Sequence, residues 1–395
     1  MKQHIILAAT VMAAATLGFA SGTRVGFQDA FAAGRANAFV ATADDASAVY
    51  YNGAGLTQLS GSEVTFGSYF VSGSSKYSGA GGSASMDNSL NTVPQFFFGE
   101  HDKGSRWAYG IGAYAPFGLK TQWPANSPLS TLATTNKLTD KTIAAVLAYK
   151  VNDTLSLSAG VTYSWATLDL NRHIGAFSPT DRLTVSQKGS APSFTLGTLW
   201  QPSPQHSFGL SYQHETNISY RGTTEVFPVA PAVQSSFRLP FPEVVIVGYA
   251  FKPTPEWNIE ANIDWTDWGQ LGVVNVASPI GAIPLDFRWK SGTFYEIGAT
   301  RYFSGGWHAS LGYLYTENSL PDAVYTPAVP DSNRSFYSAG FGFKNATYSI
   351  DLAYHFGDGG TRQVRGSPLS AVGATADGSY KNSLNGFAVT VGYRF

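Results

Sequence analysis

The stretch Leu384–Phe395, LNGFAVTVGYRF, decides the fold. Phe387, Val389, Val391, Tyr393 and Phe395 fall on one face of an extended chain, and Ala388, Thr390, Gly392 and Arg394 on the other. Side chains on a strand alternate with period two, so this segment has one apolar wall and one small or polar wall. It stops on an aromatic carboxy-terminus, as the closing strand of an outer-membrane β-barrel commonly does, with its last ring in the interfacial girdle.

The same alternation recurs upstream. Leu155, Leu157, Ala159, Val161, Tyr163 and Trp165 share a face, as do Trp257, Ile259, Ala261, Ile263 and Trp265. So do Trp307, Ala309, Leu311, Tyr313 and Tyr315, and Tyr348, Ile350, Leu352, Tyr354 and Phe356. Aromatics cluster at the ends of these faces and aliphatics in the middle, the distribution of two girdles around a lipid-facing band. Connections alternate as well. Short ones at 101–105, 152–153, 202–205, 253–255, 304–306 and 345–346 separate long ones at 74–90, 117–140, 172–189, 222–235, 269–288, 318–332 and 358–382. Short periplasmic turns and long outer loops predict about fourteen antiparallel strands, an even number that returns both termini to the periplasm.

Composition agrees. Charged residues make up 13% of the 395-residue chain, about half the usual share, yet mean hydropathy is only −0.07. A barrel reconciles the two, because only every second strand residue meets lipid. A net charge of −1 argues against a nucleic-acid partner, and the absence of cysteine removes disulfides and thiolate metal sites. Residues 1–20, MKQHIILAATVMAAATLGFA, read as a secretory signal peptide, with Lys2 at the charged start and Gly18 and Ala20 before the cut. No later run is long enough for a spanning helix, so insertion must be by strands.

Residues 21–60 differ from the 61–395 barrel. They are rich in Ala, Gly, Asp and Asn, suggest a short helix near Asp29–Ala38 and a turn at Asn52–Gly55, and are too few to fold alone. A barrel of about fourteen strands has a lumen wide enough to leak, and a plug inside it is the natural place for this segment; a periplasmic linker is the alternative. The order Gly26-Phe27-Gln28, Gly34-Arg35-Ala36, Ala43-Asp44-Asp45-Ala46 and Asn52-Gly53-Ala54-Gly55-Leu56 resembles the hatch of FadL-type outer-membrane transporters, which carry long-chain fatty acids and, in relatives, aromatic hydrocarbons. Phe117-Gly118-Leu119, Trp265-Thr266-Asp267-Trp268 and Pro330-Asp331-Ser332-Asn333-Arg334 leading into Ser338-Ala339-Gly340 extend the resemblance over the mature chain. The family's Asn-Pro-Ala is Asn52-Gly53-Ala54 here, and Gly leaves free a backbone angle that Pro would fix.

The resemblance implies an all-β barrel with an amino-terminal hatch, in the Gram-negative outer membrane, acting as a monomer without cofactor. Passive uptake of a hydrophobic small molecule is then the expected function, through capture by outer loops, binding in the lumen, hatch rearrangement and lateral exit. Its hatch residues are Gly34, Arg35, Asp44, Asp45, Asn52, Gly53, Ala54 and Gly55. Candidate ligand contacts are Arg35 and Arg334, whose guanidinium forks suit a carboxylate, and Phe117, Leu119, Trp123, Leu129 and Leu132 in the long third-strand loop, either an outer groove or a local core. Gly110, Gly112, Pro116 and Gly118 weaken strand pairing and are candidates for a lateral opening. Expected neighbours are membrane lipid, lipopolysaccharide, and the barrel-assembly machinery through the Phe395 strand. The inward-facing Glu215, Glu260, Asp264, Glu296, Lys344, Asp351 and His355 form either a polar track or a set of charges bracing the hatch. A porin for polar solutes is the rival function; a structural or adhesive barrel is a third. His206, His214, His308 and His355 show no zinc spacing, and a serine near a histidine carries no weight in so serine-rich a chain, so no enzyme is expected.

Overall fold

The computed structural model describes residues 22–395 apart from 176, 177, 179, 229, 279, 280 and 371. The expected signal peptide lies outside the described residues. In chain order the strands are β1 (Gly61–Gly79), β2 (Gly82–Ser85), β3 (Asn91–His101), β4 (Trp107–Tyr114), β5 (Gly118–Gln122), β6 (Thr135–Lys150) and β7 (Leu155–His173). They continue with β8 (Arg182–Ser203), β9 (His206–Gln213), β10 (Thr216–Phe227), β11 (Ala230–Phe241), β12 (Val244–Phe251) and β13 (Trp257–Thr266). The last are β14 (Val273–Ser278), β15 (Gly281–Asp286), β16 (Gly292–Tyr302), β17 (Trp307–Thr316), β18 (Arg334–Lys344), β19 (Tyr348–Val364) and β20 (Gly378–Arg394).

These segments make fourteen crossings. The pairs β4/β5, β9/β10 and β11/β12 are halves of interrupted crossings, and β2, β14 and β15 belong to outer hairpins. Neighbouring crossings pair antiparallel, and β20 closes the sheet on β1 from Glu63↔Arg394 to Ser78↔Ser379. Closure leaves no strand edge in lipid, where an unpaired backbone group would cost several kcal/mol. The alternation read from the sequence is the register observed. Ile259, Ile263, Leu311, Leu352 and Val391 are exposed on the outer face, while Asp264, Ser310, Asp351 and Thr390 are buried on the inner one. Trp107, Trp200, Trp257, Trp307 and Tyr348 ring the rim of short turns; Tyr163, Trp165, Tyr337 and Tyr354 mark the other girdle.

The outer connections hold more strand than the sequence suggests. β7 and β8 stay paired out to His173↔Arg182, β19 and β20 out to Val364↔Gly378, and β14 pairs with β15 and meets β11 at Ser236↔Ala277. Beyond the bilayer both faces meet water, so the apolar alternation disappears, yet the backbone still needs its ladder bonds. One outer turn is held by a carboxylate. Asp377 accepts hydrogen bonds from the Ser367 hydroxyl at 2.7 Å and the Ser367 and Gly366 amides at 2.8 and 2.9 Å. These donors, the hydroxyl foremost, pull its pKa down to about 2.

Residues 22–60 lie inside the barrel. α1 (Ala30–Gly34) is capped by Asp29, whose carboxylate accepts from the Ala32 amide at 3.1 Å, and it ends as Ala36 and Asn37 enter the left-handed region. α2 (Ala48–Tyr51), which the sequence did not suggest, leads into a 3-10 turn over Gly53–Gln58, capped by Asn52. Nearly every residue of the segment is buried.

Two outcomes follow from this architecture. Ile263→Arg, at mid-depth on the lipid face, should destabilise the barrel by about 2–4 kcal/mol, whereas Tyr348→Arg at the rim should cost about 1 kcal/mol or less, as read by reversible unfolding in lipid vesicles. The Asp377 contacts should be intact above the ordinary carboxylate pKa of about 4 and lost as pH falls toward 2. Pepsin cleavage between residues 365 and 377, normalised to an unstructured peptide, should therefore rise across that window, and Asp377→Asn should already be susceptible at pH 4.

Candidate functional site

The hatch is held differently on its two sides. Toward β3, β4 and β6 the contact is apolar: Val49, Leu56 and Leu59 pack with Phe97, Ala108, Val146 and Ala148. Gly110 and Gly112 lie on this side, within the intact pairing of β4. A Cβ on Gly110 would meet Val49 at 2.6 Å and one on Gly112 would meet it at 2.9 Å, so these glycines make room for the hatch rather than open the wall.

Toward β13 and β16 the contact is ionic and hydrogen-bonded. Glu260 accepts from the Ala41 amide at 2.8 Å and the Thr42 hydroxyl at 2.5 Å. Arg35, with no exposed surface, lies 3.7 Å from the Glu260 carboxylate and over the Phe31 ring at 5.5 Å. Arg24 pairs with Asp264 at 2.5 Å and donates to Thr266 at 2.9 Å. Asn262 donates to the Asn37 carbonyl at 3.1 Å and to Glu296 at 3.0 Å. Glu260 and Asp264 thus brace the hatch directly, and Glu296 holds Asn262, which reaches it. Lys344, Asp351, Asp44 and Asp45 instead line a cavity of about 370 Å³ at the short-turn end, where Asp351 meets His308 at 2.7 Å. Glu215 sits at the break between β9 and β10, bound by Asn217. His355 bonds the Tyr69 hydroxyl at 2.7 Å, with Phe27 stacked on its ring at 4.0 Å.

The remaining hatch positions explain themselves by close approach. Gly34 meets Gly340 of β18 backbone to backbone: a Cβ on Gly34 would stand 2.7 Å from the Gly340 Cα. A Cβ on Gly55 would stand 2.0 Å from the Ala43 carbonyl. Asn52 donates to the Val40 and Thr198 carbonyls at 2.9 and 3.0 Å and accepts from the Ala54 amide. The Asn52-Gly53-Ala54 turn therefore rests on β6, β7 and β8. Val146 and Ser158 occupy the space that a ring at position 53 would need, since a Cβ there would fall 2.5 Å from Val146.

The break in the wall lies in the third crossing. Tyr114 pairs with Thr142 and Gly118 with Thr139, so Ala115-Pro116-Phe117 stands opposite only Asp140-Lys141. β3 pairs with β4 only up to Phe96↔Ala113, leaving Asn91–Gln95 without a partner on this side. The hatch fills the gap. Arg24 and Phe117 form a β-bridge, with Val25 N donating to Pro116 O and Gly118 N to Thr23 O, each at 2.7 Å. Gln28 donates to the Ala115 carbonyl at 2.9 Å and accepts from its amide at 3.4 Å, while Gln95 donates to the Phe27 carbonyl at 3.0 Å. Of the four opening candidates, Pro116 lies in the break and Gly118 at its edge. Gln28 belongs to the Gly26-Phe27-Gln28 stretch noted in the sequence, whereas Arg24, which also closes the break, was not singled out there.

The third-crossing loop forms a core. Phe117 stacks on Phe241 at 4.4 Å, the Trp123 indole donates to the Pro327 carbonyl at 2.8 Å, and Leu119 and Leu129 are buried with Leu132 against them. Arg334 is buried beside Phe336 at the start of β18.

A family profile described as outer membrane protein transport protein (OMPP1/FadL/TodX) matches residues 11–395. The chain belongs to that family. FadL/TodX-type proteins are outer-membrane transport channels rather than enzymes, and the barrel places this one in the Gram-negative outer membrane. A long-chain fatty acid transport protein of Salmonella typhi is 22% identical over 361 residues, covering 80% of this chain and 83% of that one. Among solved structures, a Pseudomonas aeruginosa FadL homologue superposes with a TM-score of 0.87 at 18% identity over 95% of this chain and all of that one. The P. putida toluene transporter TodX gives 0.71 at 17% identity, over 92% and 98%.

Glu260→Ala should leave Arg35 buried without a counter-charge and remove two anchors of the hatch. Losing one partner of such a buried pair costs about 3–5 kcal/mol. Single-channel recordings should show frequent opening bursts, with the barrel's own unfolding little changed.

Proposed function

We propose that this protein is a passive uptake channel for hydrophobic small molecules, of the long-chain fatty acid or aliphatic and aromatic hydrocarbon kind. The observation that carries the reading is the closure of the broken third crossing by hatch residues 23–28. A plug bonded into a wall gap couples the two: displacing it unblocks the lumen and uncovers a sideways exit in one motion. An apolar passenger gains from such an exit, because it passes into the bilayer without entering water. Lipopolysaccharide presents a polar barrier outside, and the outer loops would receive the passenger there. The filled lumen and sparse free charge speak against a polar-solute porin, which would conduct ions steadily. The sheet has no open edge and acts as a single barrel, and Phe395, exposed past the end of β20, would be the handle for the assembly machinery.

The test uses the native lack of cysteine. Arg24 and Phe117 oppose each other with their hydrogen bonds on the flanking residues, the non-hydrogen-bonded pairing, with Cα atoms about 4.5 Å apart and within disulfide range. The double variant Arg24→Cys with Phe117→Cys should lose uptake of a radiolabelled alkylbenzene when oxidised and regain it on reduction, in cells at matched surface expression. Uptake unaffected by the crosslink would rule out an exit through this break.

A further inference from the structure

Past the girdle of Tyr163 and Trp165, the outside of the barrel gathers positive charge on β8, β10 and β11. Arg221 of β10 stands directly opposite Lys188 of β8. On the other side of β10, Arg238 of β11 stands opposite Ser219, one diagonal step from Arg221. All three cationic side chains are exposed. The residues that alternate with them, Gln187, Tyr220, Phe237 and Leu239, are buried on the lumen side, so the cations point outward. Directly opposed residues of an antiparallel pair have Cα atoms about 4.5–5.5 Å apart, and diagonal neighbours lie about 7–8 Å apart. Side chains as long as Lys and Arg on that spacing can converge on one group.

Like charges set directly opposite on neighbouring strands repel each other. The flanking carboxylates are engaged elsewhere: Asp169 accepts from the Ser186 hydroxyl at 2.6 Å, and Glu225 pairs with Arg182 at 3.7 Å. Among the described residues, no ion pair involves Lys188, Arg221 or Arg238. At the rim of short turns the outward Arg301 is placed differently, over the Trp257 and Phe303 rings at 5.6 and 5.2 Å. Depth decides what meets the patch. Trp165 pairs with Ser190, so Lys188 lies one outward position beyond the girdle, about 7 Å further along the strand. There the acyl chains of the outer leaflet give way to the phosphorylated sugars of lipopolysaccharide. A phosphate monoester suits this set of donors. Each guanidinium fork can take two of its oxygens, and the ammonium adds a point charge. The stems of Arg238 and Lys188 can lie along apolar surface while their heads reach up to the phosphate.

We propose that Lys188, Arg221 and Arg238 form a docking site for a phosphate of lipopolysaccharide, holding a lipid A molecule against the outside of β8, β10 and β11. The site rests on the barrel and its place in the outer membrane, and is independent of what the lumen carries.

The test offers the whole barrel, hatch included and in detergent micelles, an equimolar mixture of lipid A and the same lipid A stripped of its phosphates. The ratio of the two bound per barrel is read by native mass spectrometry. Each basic residue beside an anionic lipid contributes about fivefold in affinity, so the wild type should hold the phosphorylated form in about tenfold excess or more. The triple variant Lys188→Gln, Arg221→Gln, Arg238→Gln should lose most of that excess. The variant Lys103→Gln, Arg106→Gln, Lys150→Gln makes the same change of charge at the short-turn end and should keep it. All six side chains lie on the surface of the barrel, and a ratio of two lipids on one preparation is insensitive to the folded fraction. An excess that survives in the first variant, or falls equally in the second, would overturn the assignment. So would displacement of lipid A by phosphatidylglycerol or inorganic phosphate as readily as by lipid A itself, because the patch would then be a general anion surface.

Discussion

In hydrocarbon every backbone amide and carbonyl needs a partner within the protein, and that requirement organises this molecule. It forces the sheet to close, β20 on β1, and leaves no freedom for an interrupted crossing unless something else supplies the missing bonds. The third crossing is interrupted at Ala115–Phe117, and the partners come from Thr23, Val25 and Gln28, residues of the plug. The plug is therefore part of the wall. Its position follows from a bonding deficit as much as from the space available in the lumen.

The seating of the plug divides by chemistry. Its apolar side against β3, β4 and β6 relies on area removed from water, which is non-directional and tolerates small slides. Its other side relies on Arg24–Asp264 and on Glu260 with Thr42 and Ala41, bonds that hold at one geometry. The broken crossing adjoins the apolar side, but there residues 23–28 are tied to the wall by hydrogen bonds of their own.

Much of this was legible in the sequence. Ile263 outward and Asp264 inward followed from period two alone, because one wall must meet lipid and the other must not. The capping of α1 by Asp29 and of the turn after Asn52 lay near the helix and turn expected there. The outer hairpins were hidden, since Leu183 to Gln187 and Thr223 to Val226 carry no one-sided apolar pattern, although they ladder fully. The closure of the break was hidden for a different reason. Phe117 finds its partner in Arg24, some ninety residues away, through backbone groups that every residue possesses.

The enclosure of the plug also restricts how it can reach its seat. α1 touches β18, β19 and β20, with the Ala30 amide bonded to Thr390 and Gly34 pressed on Gly340, while residues 53–58 lie against β6, β7 and β8 across the lumen. A body in contact with opposite walls of a closed cylinder cannot be threaded in through the wall afterwards. Residues 22–60 are synthesised before any strand, and the β1–β20 seam joins the first strand made to the last. The seam therefore closes a cylinder whose interior is shaped to this segment, which reaches its seat before that seam joins or through an open end of the barrel.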